Sequence, residues 1–370
     1  VSHPIVIAGG GTGGHVFVAQ SVADALLDTG VDPAQLRFVG SRRGQESTLL
    51  AGSPIALTLL PGRGLDRSWA PGRLAQNLVA AVGLAVGSVS MLVRFAAWRP
   101  RAVVSVGGYA ALPAGLAAGI WRRPLILVNI DVEPGSTHRL LARFATASCV
   151  VSDETPLPNP TLTGAPVRGA LEQIDRSSEG RRRARAALAC DPDRAMVAVV
   201  TGSLGARSVN EAVLALAFDW AERAVTLYHV TGRRDFEQLS ARRPHGDAVL
   251  DYRLVPFEEE MGLVYQACDV LVCRAGALTV AEIGVVGLCS ILVPLPGAPG
   301  DHQTKNALSL ANQGAAVVLG DAELSPERLG EMLVGLLEDE ARRASFEEAA
   351  RRCGHPKAAA SVAKVVLEHA

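Results

Sequence analysis

Arg274-Ala275-Gly276-Ala277-Leu278-Thr279-Val280-Ala281-Glu282 follows the apolar run Val270-Leu271-Val272-Cys273, and a second pair of the same kind comes next. There Ser290-Ile291-Leu292-Val293-Pro294 leads into a loop that closes on Asp301-His302-Gln303-Thr304-Lys305-Asn306. Short β-branched runs set between helical segments read as buried parallel strands. Each pair is thus a strand–loop–helix joint, and in an open parallel sheet such joints gather at the carboxyl ends of the strands, where ligands bind. Helix starts at those ends present unpaired N–H groups and a partial positive charge, which suits a diphosphate. Thr279-x-x-Glu282 has the spacing of a capping box. It equally places a carboxylate to accept two hydrogen bonds from a ribose diol, and both readings stand at this level.

Working outward, the same joint recurs. Ile5-Val6-Ile7-Ala8 runs into Gly9-Gly10-Gly11-Thr12-Gly13-Gly14-His15 and then an apolar helix through Ala19, Val22, Ala25 and Leu26. Glycines there let backbone approach a ligand closely. No acidic residue stands at the end of the second strand, residues 36–40, which weakens a dinucleotide reading. Ala102-Val103-Val104-Ser105-Val106 ends in Gly107-Gly108-Tyr109, and Leu125-Ile126-Leu127-Val128 ends in Asn129-Ile130-Asp131. Met196-Val197-Ala198-Val199-Val200 ends in Thr201-Gly202-Ser203-Leu204-Gly205-Ala206, with Asn210 beyond. His15 is a candidate general base because an imidazole titrates near working pH. It also fits a histidine donating to a loop carbonyl.

Composition bounds the answer. A chain of 370 residues exceeds one ordinary core and fits two domains. A hydrophobic content of 49% at net charge −1, with only 4% aromatics, excludes a disordered chain and a nucleic-acid-coating surface. The six cysteines form no Cys-x-x-Cys, so buried free thiols in a reducing compartment are expected. With the first strand opening at Ile5, no signal peptide and a cytosolic location are expected. Residues 78–93 carry no charge but include four Gly or Ser, so a buried domain helix is expected rather than a membrane span. Trp69, Phe95 and Trp98 among Arg63, Arg67, Arg73 and Arg94, with Trp121-Arg122-Arg123, suggest an exposed basic, aromatic rim that docks onto anionic lipid. Proline-rich 152–170 reads as a linker, and the Arg181–Arg185 run as a solvated helix face. A strand at 315–319 and two amphipathic helices complete the chain.

In order and spacing, these motifs resemble those of the MurG family, the GT-B glycosyltransferases that make the peptidoglycan precursor lipid II. Arg-Ala-Gly-Ala-Leu-Thr-x-x-Glu with Asp-His-Gln-x-x-Asn matches the family's donor-nucleotide signature, and the glycine loop ending in His15 matches its first loop. The resemblance implies an α/β chain of two Rossmann-like domains with parallel sheets facing across a cleft. An acceptor- and membrane-binding domain would span 1–163, with the last helix (about 357–370) packing back on it. A UDP-sugar domain would span 164–356. It further implies inverting transfer of N-acetylglucosamine from UDP-N-acetylglucosamine to an undecaprenyl-diphosphate-linked acceptor, without cofactor. No Asp-x-Asp pair for a divalent metal is expected in the chain. The protein would work at the cytoplasmic face of the membrane, with no nucleic-acid partner, and a cell-wall synthesis complex as a further partner.

By position, His15 is then the base, with Asp131 in reserve. Thr12, Gly13, Gly14, Arg168, Ser203, Phe257, Glu258, Met261, Ala277, Leu278, Thr279, Glu282 and Gln303 face the donor. Phe257, Met261 and the Glu258 backbone would hold the uracil, while Arg168, Ser203 and helix N-termini neutralise phosphate. Gly107, Gly108, Tyr109, Asn129 and Asn210 border the acceptor, and His229 is structural. Where the family has His-Glu-Gln-Asn, this chain reads Val128-Asn129-Ile130-Asp131. That departure leaves open a relative with the same donor and another acceptor, or a silent scaffold that binds the sugar nucleotide.

Overall fold

The central apolar runs become strands buried on both faces, as happens where helices cover a parallel sheet. The computed structural model describes residues 3–10, 13–61, 71–202, 205–244 and 249–370, with backbone alone at 71–76. Its first sheet contains β1 (Ile5–Gly10), β2 (Leu36–Ser41), β3 (Ala56–Leu60), β4 (Ala102–Gly108), β5 (Leu125–Val128), β6 (Ala147–Val150) and β7 (Pro160–Leu162). These lie in the order β3-β2-β1-β4-β5-β6-β7 with every pairing parallel. The covering helices are α1 (Gly13–Asp28), α2 (Glu46–Leu49), α3 (Pro71–Trp98), α4 (Ala111–Ile120) and α5 (Ser136–Leu141). One core layer joins Val6, Val39, Met91, Phe95, Val103, Leu125, Leu127 and Leu141.

The second sheet contains β8 (Ala195–Val200), β9 (Val225–Val230), β10 (Asp251–Val255), β11 (Val270–Cys273), β12 (Ser290–Leu292) and β13 (Val317–Val318). Its order is β10-β9-β8-β11-β12-β13, again all parallel. The helices are α6 (Ser178–Ala187), α7 (Arg207–Asp219), α8 (Phe236–Ser240), α9 (Met261–Ala267), α10 (Ala277–Val286), α11 (His302–Ala311), α12 (Pro326–Leu337) and α13 (Glu340–Cys353). Val197, Val199, Leu227, Val272, Ile291, Leu329 and Leu333 form its core. The chain divides into Val1–Arg168 with His355–Ala370, and Gly169–Gly354. The closing helix α14 (Ala358–His369) therefore lies in the first unit, packed on α1. Both sheets reverse their winding once, between β1 and β4 and between β8 and β11, and a ligand-binding crevice forms at such switch points.

Several expectations are corrected. Residues 152–170 are no free linker, since Pro160 opens edge strand β7, where its missing N–H costs no ladder bond. The units divide at 168/169, so Arg168 falls in the first. Three helices, not two, follow β13.

The arginine run is solvated only in part. Arg185 is buried and bonds Asp269 (2.8 Å), and Arg181 reaches Glu347 (2.8 Å), while Arg182 and Arg183 are exposed. Phe95 is 1% exposed, packed into the core, and so is no part of an exposed rim. Trp98 is half-buried under the Arg37 guanidinium (4.7 Å), while Arg63, Arg67 and Trp69, and the Arg73 side chain, lie outside the described residues. Nor is α3 buried over most of its length. Leu78, Val79, Val82, Val86, Val89 and Val93 are all more than half exposed, at helical spacing on one face.

Candidate functional site

In the first unit, register brings two glycine loops together: Gly9 pairs with Gly107 and Gly10 with Gly108 at the carboxyl ends of β1 and β4. Gly108 sits at φ +78°, and a Cβ there would stand 2.1 Å from the Gly10 carbonyl oxygen, so no other residue fits. Gly14 differs, since nothing lies within 4 Å of its missing Cβ. The first turn of α1 therefore keeps open backbone beside His15, while Gly11 and Thr12 lie outside the described residues. Gly13 opens the helix next to the Gln45 side chain.

His15 is half-buried in that turn. Burial pulls its pKa below the ordinary 6.5, against the opposing pull of the Asp131 and Glu46 carboxylates. The imidazole is thus neutral at neutral pH, the state a base requires. Glu46 is 1% exposed and accepts from the Ser41 N–H (2.8 Å), with Gly10, Gly40 and Gly44 packed around its carboxylate. Asn129 is buried with its amide engaged: Nδ2 donates to the Asp131 carbonyl (2.6 Å) and Oδ1 faces His138 Nδ1 (3.0 Å). Tyr109 donates its hydroxyl to the Pro61 carbonyl (3.0 Å), and Thr137 donates to the Gly108 carbonyl (3.1 Å). Arg168 places its guanidinium over the Phe17 ring of α1, 5.1 Å from the centroid.

In the second unit the joint after β11 meets the loop after β8. Gly276 caps α10 in an extended conformation with no side-chain cap bond, so Thr279 is the third helical residue and no capping box forms. Ala277, Leu278 and Thr279 fill the first turn, half-buried. Glu282 is 5% exposed and accepts from the Tyr265 hydroxyl (2.8 Å), which orients its carboxylate. Arg274 gathers the surrounding loops: it donates to the Val293 and Pro294 carbonyls, to Asp321 and to Ser208. Gln303 accepts from the Leu295 N–H (3.0 Å).

Gly202 and Gly205 both adopt φ +78°, and Ser203 and Leu204 between them lie outside the described residues. Asn210 is buried beneath that loop, its Nδ2 donating to the Thr231 carbonyl and to Asp235, its Oδ1 accepting from His229. His229 is fully buried between Asn210 and Tyr252, and burial holds its pKa to about 3. Phe257 is exposed under the Arg233 guanidinium (4.9 Å). Glu258 accepts from the Tyr228 hydroxyl (2.6 Å), and Met261 opens α9 half-buried. An Asp-x-Asp does occur, Asp191-Pro192-Asp193. It precedes β8, at the amino-terminal end of that central strand and so away from this loop, with Asp191 salt-bridged to Arg194 and Asp193 to Arg182.

The sequence reading missed Glu46, Ser105, His138, Tyr265 and Asp321. None lies in a glycine loop, and each is brought in by packing between elements distant along the chain. A lone buried histidine in a short helix carries no spacing signal.

Comparison with known proteins agrees with this geometry. Residues 5–150 match the glycosyltransferase family 28 N-terminal domain and 196–364 its C-terminal domain. A protein of Alkalilimnicola ehrlichii is 40% identical across 99% of both chains. Its name is UDP-N-acetylglucosamine–N-acetylmuramyl-(pentapeptide) pyrophosphoryl-undecaprenol N-acetylglucosamine transferase. A protein of the same name from Frankia casuarinae is 34% identical over 99% of this chain and 96% of its own. The crystal structure of Acinetobacter baumannii MurG superposes over the whole of both chains, with a TM-score of 0.76 at 27% identity. With two parallel α/β units in the GT-B architecture and kinship along its whole length, the chain belongs to the MurG family of glycosyltransferase family 28.

Proposed function

We propose that the protein transfers N-acetylglucosamine from UDP-N-acetylglucosamine to the muramoyl sugar of lipid I, giving lipid II, with inversion at the anomeric carbon. The observation that carries this reading is 40% identity along the full length to a transferase of that name, joined to the placement of His15 at the first sheet's switch point, where burial lowers its pKa. The first unit takes the acceptor and the second the donor. His15 takes the proton of the acceptor hydroxyl as its oxygen attacks the anomeric carbon and the UDP oxygen departs with the bonding pair. Charge growing on the leaving diphosphate is met by the N-terminus of α10, the glycine loop after β8 and Arg168. Glu282, held by Tyr265, accepts from the ribose diol, and Phe257 with Met261 flanks the uracil. No cofactor is required by this scheme.

The bare face of α3 supports peripheral docking on an anionic membrane. By length and composition Asn77–Trp98 would pass as a span, yet Met91 and Phe95 bury its other side against the sheet and α4. Ile120 and Trp121 extend the apolar face, with Arg94, Arg122 and Arg123 beside it. Docking there would bring the site to lipid-linked substrate and to a wall-building complex on the same surface.

A second reading, the same donor with another acceptor, is favoured by one observation: Asn129, at the family's altered motif, is buried and engaged with His138. Purified protein incubated with UDP-N-acetylglucosamine and a soluble lipid I analogue separates the two. Stoichiometric UDP release with disaccharide product supports lipid I as acceptor. Donor binding without product shifts the reading to another acceptor or to a scaffold.

A further inference from the structure

Behind His15 runs a buried hydrogen-bonded chain that ties Asn129, at the altered motif, to His138 and Ser105. Ser105, Asn129 and His138 are 0%, 3% and 4% exposed, and they come from β4, the turn after β5, and α5. The Asn129 Nδ2 donates to the Asp131 carbonyl, so its Oδ1 is the atom 3.0 Å from His138 Nδ1 and must accept. Nδ1 therefore donates to it, while Nε2 stands 3.2 Å from both the hydroxyl and the carbonyl oxygen of Ser105. The residue before it, Thr137, bonds the Gly108 carbonyl, so α5 grips the second glycine loop as well. Gly107 shows how near the two imidazoles lie. A Cβ there would meet His15 Nε2 at 3.1 Å and His138 Cε1 at 3.6 Å, so both rings border the space that glycine leaves empty.

We propose that His138 is a positioning residue for transfer: by its bond to Asn129 it fixes the 129–131 turn, and with it the Asp131 carboxylate, beside His15. This rests on the transferase reading with His15 as base. The groups that act on His15 are Asp131 after β5, Glu46 on α2 and His138 on α5. Both carboxylates favour the imidazolium, whereas a charged His138 would oppose it. Burial and the adjacent His15 hold the His138 pKa to about 4, so it stays neutral and keeps donating from Nδ1 across the working range. A histidine buried for volume alone would leave neither the turn nor the His15 titration dependent on its nitrogen.

The test compares His138→Phe, which fills the space without a donor, with His138→Asn, whose amide nitrogen can take the place of Nδ1. Turnover of the wild-type protein with the lipid I analogue is measured first, so failure of the transferase reading shows there, before any variant. His138→Phe is expected to lower kcat by roughly tenfold or more and to move the acidic limb of its pH profile. The KM for UDP-N-acetylglucosamine should hold within about twofold, and His138→Asn should restore most of kcat. A His138→Phe protein that melts like wild type and keeps both kcat and the acidic limb overturns the proposal. Should that variant not fold, imidazole ¹⁵N spectra of the wild-type protein decide. A neutral Nδ1–H tautomer at pH 7 upholds the proposal, and an Nε2–H tautomer, or titration near the ordinary value, overturns it.

Discussion

His15 stays neutral near pH 7 because burial outweighs the two carboxylates that would keep it charged. Its pKa lies below 6.5, so the acidic limb of kcat/KM should fall below that value, and Asp131→Asn should move it lower still. The sign follows from charge: the carboxylate stabilises the imidazolium, and its loss makes protonation harder. A limb that rises, or stays fixed, in the Asp131→Asn pH–rate profile would remove Asp131 from the site. On the donor side, Glu282→Ala should raise the UDP-N-acetylglucosamine KM by roughly 5- to 150-fold, the loss of about 1–3 kcal/mol from charge-assisted hydrogen bonds. Tyr265→Phe removes only the group that aims the carboxylate, and roughly a 2- to 10-fold rise is expected. An effect of Tyr265→Phe equal to that of Glu282→Ala in steady-state kinetics would mean the tyrosine itself meets the nucleotide. Glu282 was legible because its motif runs continuously along the chain; Tyr265 was not, because α9 delivers it from seventeen positions away.

At the scale of elements, α3 and α6 show how one helix can carry two functions on two faces. The apolar stripe of α3 is bare, so Val86→Glu with Val89→Glu should leave the melting temperature nearly unchanged. Burying a valine is worth roughly 1.5 kcal/mol, so the pair should weaken binding to anionic phospholipid vesicles at least about tenfold. Undiminished co-sedimentation would place the membrane contact elsewhere. Charge patterning alone could not separate the faces: Phe95 and Trp98 read as rim residues, yet the helix phase turns Phe95 into the core. On α6 the arginine run divides in the same way. Burial would raise the Glu347 carboxyl, but the Arg176 and Arg181 guanidiniums outweigh it and hold it below the ordinary value. Glu347→Ala removes the carboxylate from buried Arg176 and leaves Arg181 only the longer pair to Asp269 (3.5 Å), and a loss of about 3–5 kcal/mol in urea unfolding is expected. A loss under about 1 kcal/mol would show that water screens the cluster.

For the whole molecule, acid sensitivity follows from two buried histidines, one in each unit. His138 at about 4 and His229 at about 3 remain neutral when folded, while an unfolded chain protonates them near 6.5. The unfolded state therefore binds more protons below pH 6.5, and stability is lost as pH falls from there toward 4. The slope is at most about 1.4 kcal/mol per pH unit for each histidine. Denaturant titrations at pH 7, 5.5 and 4.5 should show the decline, and His229→Gln should flatten it; stability constant from pH 7 to 4.5 would contradict the buried neutral state. The amino-acid order by itself determined the two parallel-sheet halves, the glycine loops and the place of His15 at the end of one of them, because strand periodicity and close backbone approach are local requirements written in consecutive residues. The tertiary structure alone decided which polar groups hold those residues in place. Asn129 and Asn210 were sorted into internal bonds, His138 was set behind His15, and one face of α3 was left uncovered. Such outcomes depend on which side chains from distant segments share a buried space, where an unpaired polar group costs more than a hydrogen bond returns.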